Sequence, residues 1–282
     1  MQKTPVAARF LQRLVAAGDL ICFSAFRQWE FDRTLASLAS RRPNEFTPAV
    51  FTANPLSKKI NRRMVELPSF SNDAEQIALR MSVIASVEHV LAYLDEVQTF
   101  RALLSPTEAD QLTHDAEEEQ LRLKIEAWSG TKQVRSYFYT IGLLRVLRNH
   151  YAHLNAAPHQ ALKAYVSAQG TPLNRFWAKT PLDLHGLDFR TIATVPLTFE
   201  LAIAIVNLLR VSMMNIDPMI AHTLAIEDAA AWLLSEALKR PRSGAASDEQ
   251  LASKVRQKLR MEFGYSCATA QIQPIVERLR AR

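Results

Sequence analysis

Cysteine is nearly absent from this chain: Cys22 and Cys267 are the only two in 282 residues. Two distant thiols cannot staple a small secreted scaffold, and they exclude a CxxC-type zinc site. Glycine is also scarce, with 7 residues against 13 prolines. That argues against β-sandwiches and against the glycine-rich loops that cradle nucleotide phosphates. Long apolar runs are missing too. The longest, Leu201–Leu209, is bounded by Glu200 and Arg210 and falls short of the roughly 20 residues a bilayer span needs. Arg13 and Asp19 interrupt the apolar N-terminal stretch where a signal-peptide core would lie. The expectation is a soluble cytoplasmic protein with no membrane partner.

What remains is a chain that is 48% apolar, long enough for one large or two modest domains with a real core. Its net charge of +6 is unevenly placed. Residues 1–66 carry 11 basic and 5 acidic side chains, residues 239–282 carry 10 and 4, and the stretch between carries 13 and 19. An acidic centre thus lies between two basic ends, a pattern compatible with a polyanionic partner.

Helical spacing dominates throughout, and no stretch reads as a strand. Residues 6–40 form one helix with Phe10, Leu14, Ile21, Leu35 and Leu38 inward. Residues 41–72, with four prolines and two basic doublets, read as an irregular arm. Ser71-Asn72-Asp73 offers a cap for a long helix to about Leu104, with Ile77, Met81, Ile84, Val87, Leu91 and Leu94 inward. Pro106-Thr107-Glu108 opens an acidic helix to about Trp128, in which Glu117-Glu118-Glu119 read as a solvated face. Lys132 to about Asn155 is a third central helix. Pro158, Gly170, Pro172, Pro181 and Gly186 then suggest a short helix near 159–168 followed by a long excursion. A further apolar helix runs over 197–214, and Asp217-Pro218 reads as the cap and first-turn proline of another, to Lys239. Residues 239–247 read as a hinge, and 247–282 as two short basic helices around Phe263-Gly264-Tyr265. The expected fold is all-α. Its segments are an N-terminal helix and proline-rich basic arm (1–66), a central helical domain (67–240) and a basic helical tail (241–282).

Chemistry concentrates in the third central helix: Leu147-Arg148-Asn149-His150-Tyr151-Ala152-His153. With 24 Arg and 7 His in the chain, the bare Arg–His spacing carries no information. Requiring Asn directly after the arginine cuts the chance expectation to ~0.02. Arg148 supplies a permanently charged planar fork suited to phosphate oxygens. His153 exchanges protons near neutrality. Residues five apart on a helix are separated by about 140°, whereas Asn149 and His153 share a row. The long Arg148 must therefore reach round toward His153, or each must meet groups of a second copy; two copies would supply two histidines to divide the acid and base roles. His150 and His153 also stand three apart, but a zinc site lacks its third ligand; no metal or cofactor is expected. Carboxylates among Glu88, Asp95 and Glu96 are candidates to orient His153 or to pair with Arg148.

The Arg-Asn-x-x-x-His pattern, late in an amphipathic helix of an all-α protein, resembles the motif of the HEPN superfamily, as found in RNA-targeting CRISPR effectors and abortive-infection toxins. The resemblance covers about residues 73–238 and not the basic ends. It implies a metal-independent endoribonuclease with Arg148 and His153 catalytic and Asn149 shaping the site. His150, Arg145 and Tyr151 are the neighbouring candidates for substrate contact. The implied partners are RNA, a second copy of the chain in a homodimer, and an antitoxin or CRISPR-type regulatory partner. The alternatives are a non-catalytic RNA-binding scaffold of the same type, or a helical regulator whose tail binds DNA.

Overall fold

The structure is a computed structural model that describes residues 2–153, 158–239 and 247–280. Among these residues there are eleven α-helices and no strand; a single isolated bridge joins Phe46 and Arg63. The helices are α1 (Pro5–Arg41), α2 (Thr47–Val50), α3 (Ser57–Ile60), α4 (Leu67–Leu104), α5 (Glu117–Ser129) and α6 (Arg135–Ala152). They continue as α7 (Gln160–Trp177), α8 (Phe199–Ala221), α9 (Ile226–Leu238), α10 (Asp248–Lys258) and α11 (Thr269–Arg280). The expected end of the third central helix at Asn155 and the hinge at 240–246 lie outside the described residues.

Contacts divide the chain into two units that interleave along the sequence. The first comprises Met1–Leu14, Val87–Arg145 and Leu208–Arg282; the second comprises Val15–Ser86 and Val146–Asn207. Charge and proline content mark segment ends at 66 and 240, whereas the contact boundaries fall within α1, α4, α6 and α8.

In the first unit the tail is packed, not free. Leu233 and Leu234 of α9, Leu251 and Val255 of α10, and Ile272 and Val276 of α11 belong to one buried cluster with Phe263 and Tyr265. A π-turn over Leu259–Phe263 ends at Gly264, whose φ of 71° suits a residue without Cβ. The Tyr265 hydroxyl donates to the Leu224 carbonyl at 2.7 Å. Asp217 is buried, and its carboxylate accepts from the Thr4 backbone N–H at 2.7 Å, the Thr4 hydroxyl at 2.5 Å and the Tyr93 hydroxyl at 3.0 Å. Asp217 is therefore not a helix cap. Helix α8 continues through Pro218 and stops three residues later, at Ala221, the proline removing one i→i−4 hydrogen bond from its last turn.

The acidic run of α5 is also more than a solvated face. Glu118 is buried and receives a bidentate contact from Arg145, at 2.9 and 3.0 Å, while Glu119 accepts from Arg122 at 2.8 Å. Ahead of α5, Thr107 and Asp110 close a capping box on a short 3₁₀ turn at Glu108–Gln111.

In the second unit the proline-rich arm is shorter and better packed than its composition suggests. Thr47, Ser57 and Met64 are buried, and Met64 clusters with Leu35 and Leu67. Helix α4 begins at Leu67, with Pro68 in its first turn, earlier than the Ser71 cap expected. Ser71 is committed to α1 instead: its hydroxyl accepts from Gln28 at 2.5 Å and donates to Asp32 at 3.0 Å. Ile77 and Met81, expected inward, are exposed, whereas Leu79 and Val83 are buried. Helix α7 runs past Gly170 and Pro172 to Trp177. Gly170 is needed for close approach and not for a turn: a Cβ there would stand 3.2 Å from the Phe189 carbonyl oxygen and 3.2 Å from Arg190 Cγ.

Two helices, Met64–Leu104 (counting the preceding 3₁₀ turn) and Phe199–Ala221, are long and apolar enough to cross a membrane by composition alone. About half of each apolar window is buried within the fold.

Candidate functional site

Helix α6 presents three faces at its C-terminal end. Val146, Leu147 and Tyr151 are buried and fix the helix in the second unit. Asn149 and His153, one turn apart, are both exposed. Arg148 lies between these faces, half-buried, and its Nη1 donates to Asn149 Oδ1 at 2.7 Å. The residue after the arginine therefore holds one arm of the guanidinium, whose planar donor set can serve more than one partner. His153 stands one residue beyond the helix, its N–H donating to the Asn149 carbonyl at 3.3 Å.

The three residues expected to contact substrate are placed differently. Arg145 belongs to the first unit and is engaged in the bidentate pair with buried Glu118. His150 and Tyr151 are buried, 8% and 6% exposed, and line a cleft of about 710 Å³ in the second unit. None of the three offers a freely exposed donor to an RNA strand. The acidic candidate Glu96 pairs with Arg9 in the first unit. His185 has a left-handed φ of 50°. Arg190 is held by Asp188, whose carboxyl is driven well below the usual range by the guanidinium and by the Asn174 amide.

The cleft's other wall carries no motif in the sequence. Asn72, Gln76 and Arg80 of α4 line it, together with Thr194, Val195, Pro196 and Leu197. These three are a row at i, i+4, i+8, a polar stripe hidden within a helix read for its apolar content. Gln76 Nε2 donates to the Leu197 carbonyl at 2.8 Å and so ties the loop before α8 to α4. The Arg80 guanidinium lies over the Tyr151 ring, 5.7 Å from its centroid. Burial pushes the Tyr151 phenol up to about 12. Burial, then Arg80 and His159, lower the His150 pKa from its ordinary value, so the imidazole is neutral at pH 7.

Among the described residues no group of three His, Cys, Asp or Glu side chains is placed to hold a metal ion. The chain matches no protein-family profile, no curated protein and no solved structure.

Proposed function

We propose that the protein is a HEPN-like endoribonuclease that cleaves single-stranded RNA without a metal ion, working as a homodimer. The observation that carries this reading is the Arg148–Asn149 hydrogen bond, one turn before an exposed His153 just past the end of the same helix. It gives the motif's polar residue a physical role, since the carboxamide orients the guanidinium while the histidine remains open to exchange protons.

In the reaction proposed, a histidine takes the proton of the ribose 2′-hydroxyl as its oxygen attacks the adjacent phosphorus. The P–O5′ bond breaks, the 5′-oxygen receives a proton, and the products are a 2′,3′-cyclic phosphate and a 5′-hydroxyl. Negative charge grows on the nonbridging oxygens, where the Arg148 fork binds it more strongly than in the ground state. Two copies of His153 would divide the base and acid roles.

A second copy has an apolar surface available to it. On α1, Phe23, Phe26 and Trp29 are 56%, 62% and 61% exposed. Phe23 and Phe26 lie away from the buried Leu14 and Ile21 on the helical wheel, and Trp29 flanks them nearer the buried side. The test is cleavage of a single-stranded RNA in excess EDTA by the wild type, Arg148→Ala and His153→Ala. The wild type is expected to cut and each variant to lose about 100-fold or more. Equal cleavage by all three would remove the assignment.

A further inference from the structure

The cleft beneath Tyr151 has the construction of a ligand site, and nothing in the proposed cleavage uses it. Its lining is basic: Arg80 and His150 line it with Asn72, with Gln76, whose amide donates to the Leu197 carbonyl, and with Thr194, whose hydroxyl donates to the Thr191 carbonyl, and among the described residues no carboxylate lines it. His150, more than nine-tenths buried, has an Nδ1 with no hydrogen-bond partner, and the buried Nε of Arg80 also lacks one. Such orphaned polar atoms are costly unless a ligand or water meets them. Tyr151, Val195, Pro196 and Leu197 also line an adjoining compartment of about 230 Å³. That second compartment is mainly aliphatic, with Leu187, Ile192, Leu201 and Ile205. Its one carboxylate, Asp188, is already paired with Arg190.

From this juxtaposition we infer that the second unit binds a small organic anion, its phosphate or carboxylate head against Arg80 and His150 and its apolar body between Leu187 and Ile205. Arg80 supplies the counter-charge to the head, and the aliphatic compartment selects against bare inorganic ions. The site is independent of the proposed RNA cleavage and stands or falls without it.

An anion beside His150 would favour its imidazolium form against burial and against Arg80 and His159, the charged groups that oppose it. Binding is therefore coupled to proton uptake and tightens as pH falls from about 8 to 5.5, a range over which a carboxylate ligand stays ionised.

The experiment is isothermal titration calorimetry of the full chain with hexanoate, benzoate and AMP. Acetate and inorganic phosphate serve as heads without bodies, and hexanol as a body without a head. Saturable binding of hexanoate, benzoate or AMP is expected, at least about tenfold tighter than any of the controls. The member that binds distinguishes an organic acid from a nucleotide. Arg80→Gln should weaken binding about tenfold or more, and Val195→Trp should weaken it by filling the shared wall. For a carboxylate ligand, His150→Phe should flatten the pH dependence. Circular dichroism melts establish that each variant is folded. The inference is overturned if no probe binds saturably at millimolar concentration, if acetate or hexanol binds as tightly as hexanoate, or if folded Arg80→Gln binds as the wild type does.

Discussion

At the scale of single residues, buried polar groups fix positions that apolar packing leaves free. Asp217 receives three hydrogen bonds from Thr4 and Tyr93, and so ties the N-terminal residues to α4 and α8. Replacing it by alanine leaves those donors buried without an acceptor, a loss of about 3 kcal/mol expected in urea denaturation. Burial raises the Asp217 pKa, outweighing the hydrogen bonds that lower it. The native state thus holds this proton more tightly than the unfolded chain. Stability falls as pH rises from the ordinary carboxylate value through the raised one. Asp217→Asn has no such titration, so its stability relative to wild type should improve as pH rises above the ordinary carboxylate value of about 4. A constant difference as pH rises would contradict the buried ionisation. In sequence, Asp217-Pro218 carries the signature of a helix start. The partner that overrides it, Thr4, lies more than 200 residues away, beyond the reach of local pattern.

At the scale of elements, the helices were legible from periodicity and their boundaries were not. Of Val134, Phe138, Ile141, Leu144 and Leu147, whose spacing predicts one inward face, the last four are buried along α6, whereas Val134 precedes the helix and is exposed. Ile77 and Met81 satisfy the same spacing on α4 yet lie exposed, because that helix is apolar around much of its circumference and periodicity alone does not choose the face. Proline and glycine misled for a related reason: in α7 they mark a close approach between backbones and not an end. Arg145 and Glu118 show the limit for charge. Each looks solvated in isolation, and together they form a buried fork between α5 and α6. Glu118→Ala should cost about 3 kcal/mol in urea denaturation, whereas adding Arg145→Met should recover most of it. If the double variant is no more stable than the single, the pair is not the cause. At the candidate site, Arg148, Asn149 and His153 are singled out by a local motif, and the structure adds the hydrogen bond between the first two. The Asn72, Gln76 and Arg80 wall has no such local signature because it lies on another helix, brought to α6 only by folding.

At the scale of the molecule, the interleaved units mean that charge blocks along the chain do not map onto compact bodies. The basic N-terminal segment contributes to both units, and the basic tail belongs to the first. The exposed Phe23–Phe26–Trp29 face of α1 is where the proposed dimer would bury apolar area. The double substitution Phe26→Glu and Trp29→Glu should convert dimer to monomer in analytical ultracentrifugation and reduce RNA cleavage with it. Cleavage that persists in a monomer would exclude a composite site. The central claim is metal-independent attack by the ribose hydroxyl, and one measurement bears on it most directly. A single-stranded RNA is incubated with the protein in EDTA, beside the same RNA with one 2′-deoxy substitution at the cut position, and the product ends are identified. The expected result is a 2′,3′-cyclic phosphate from the first and no cut at that position in the second; cleavage of both, or of neither, would contradict it.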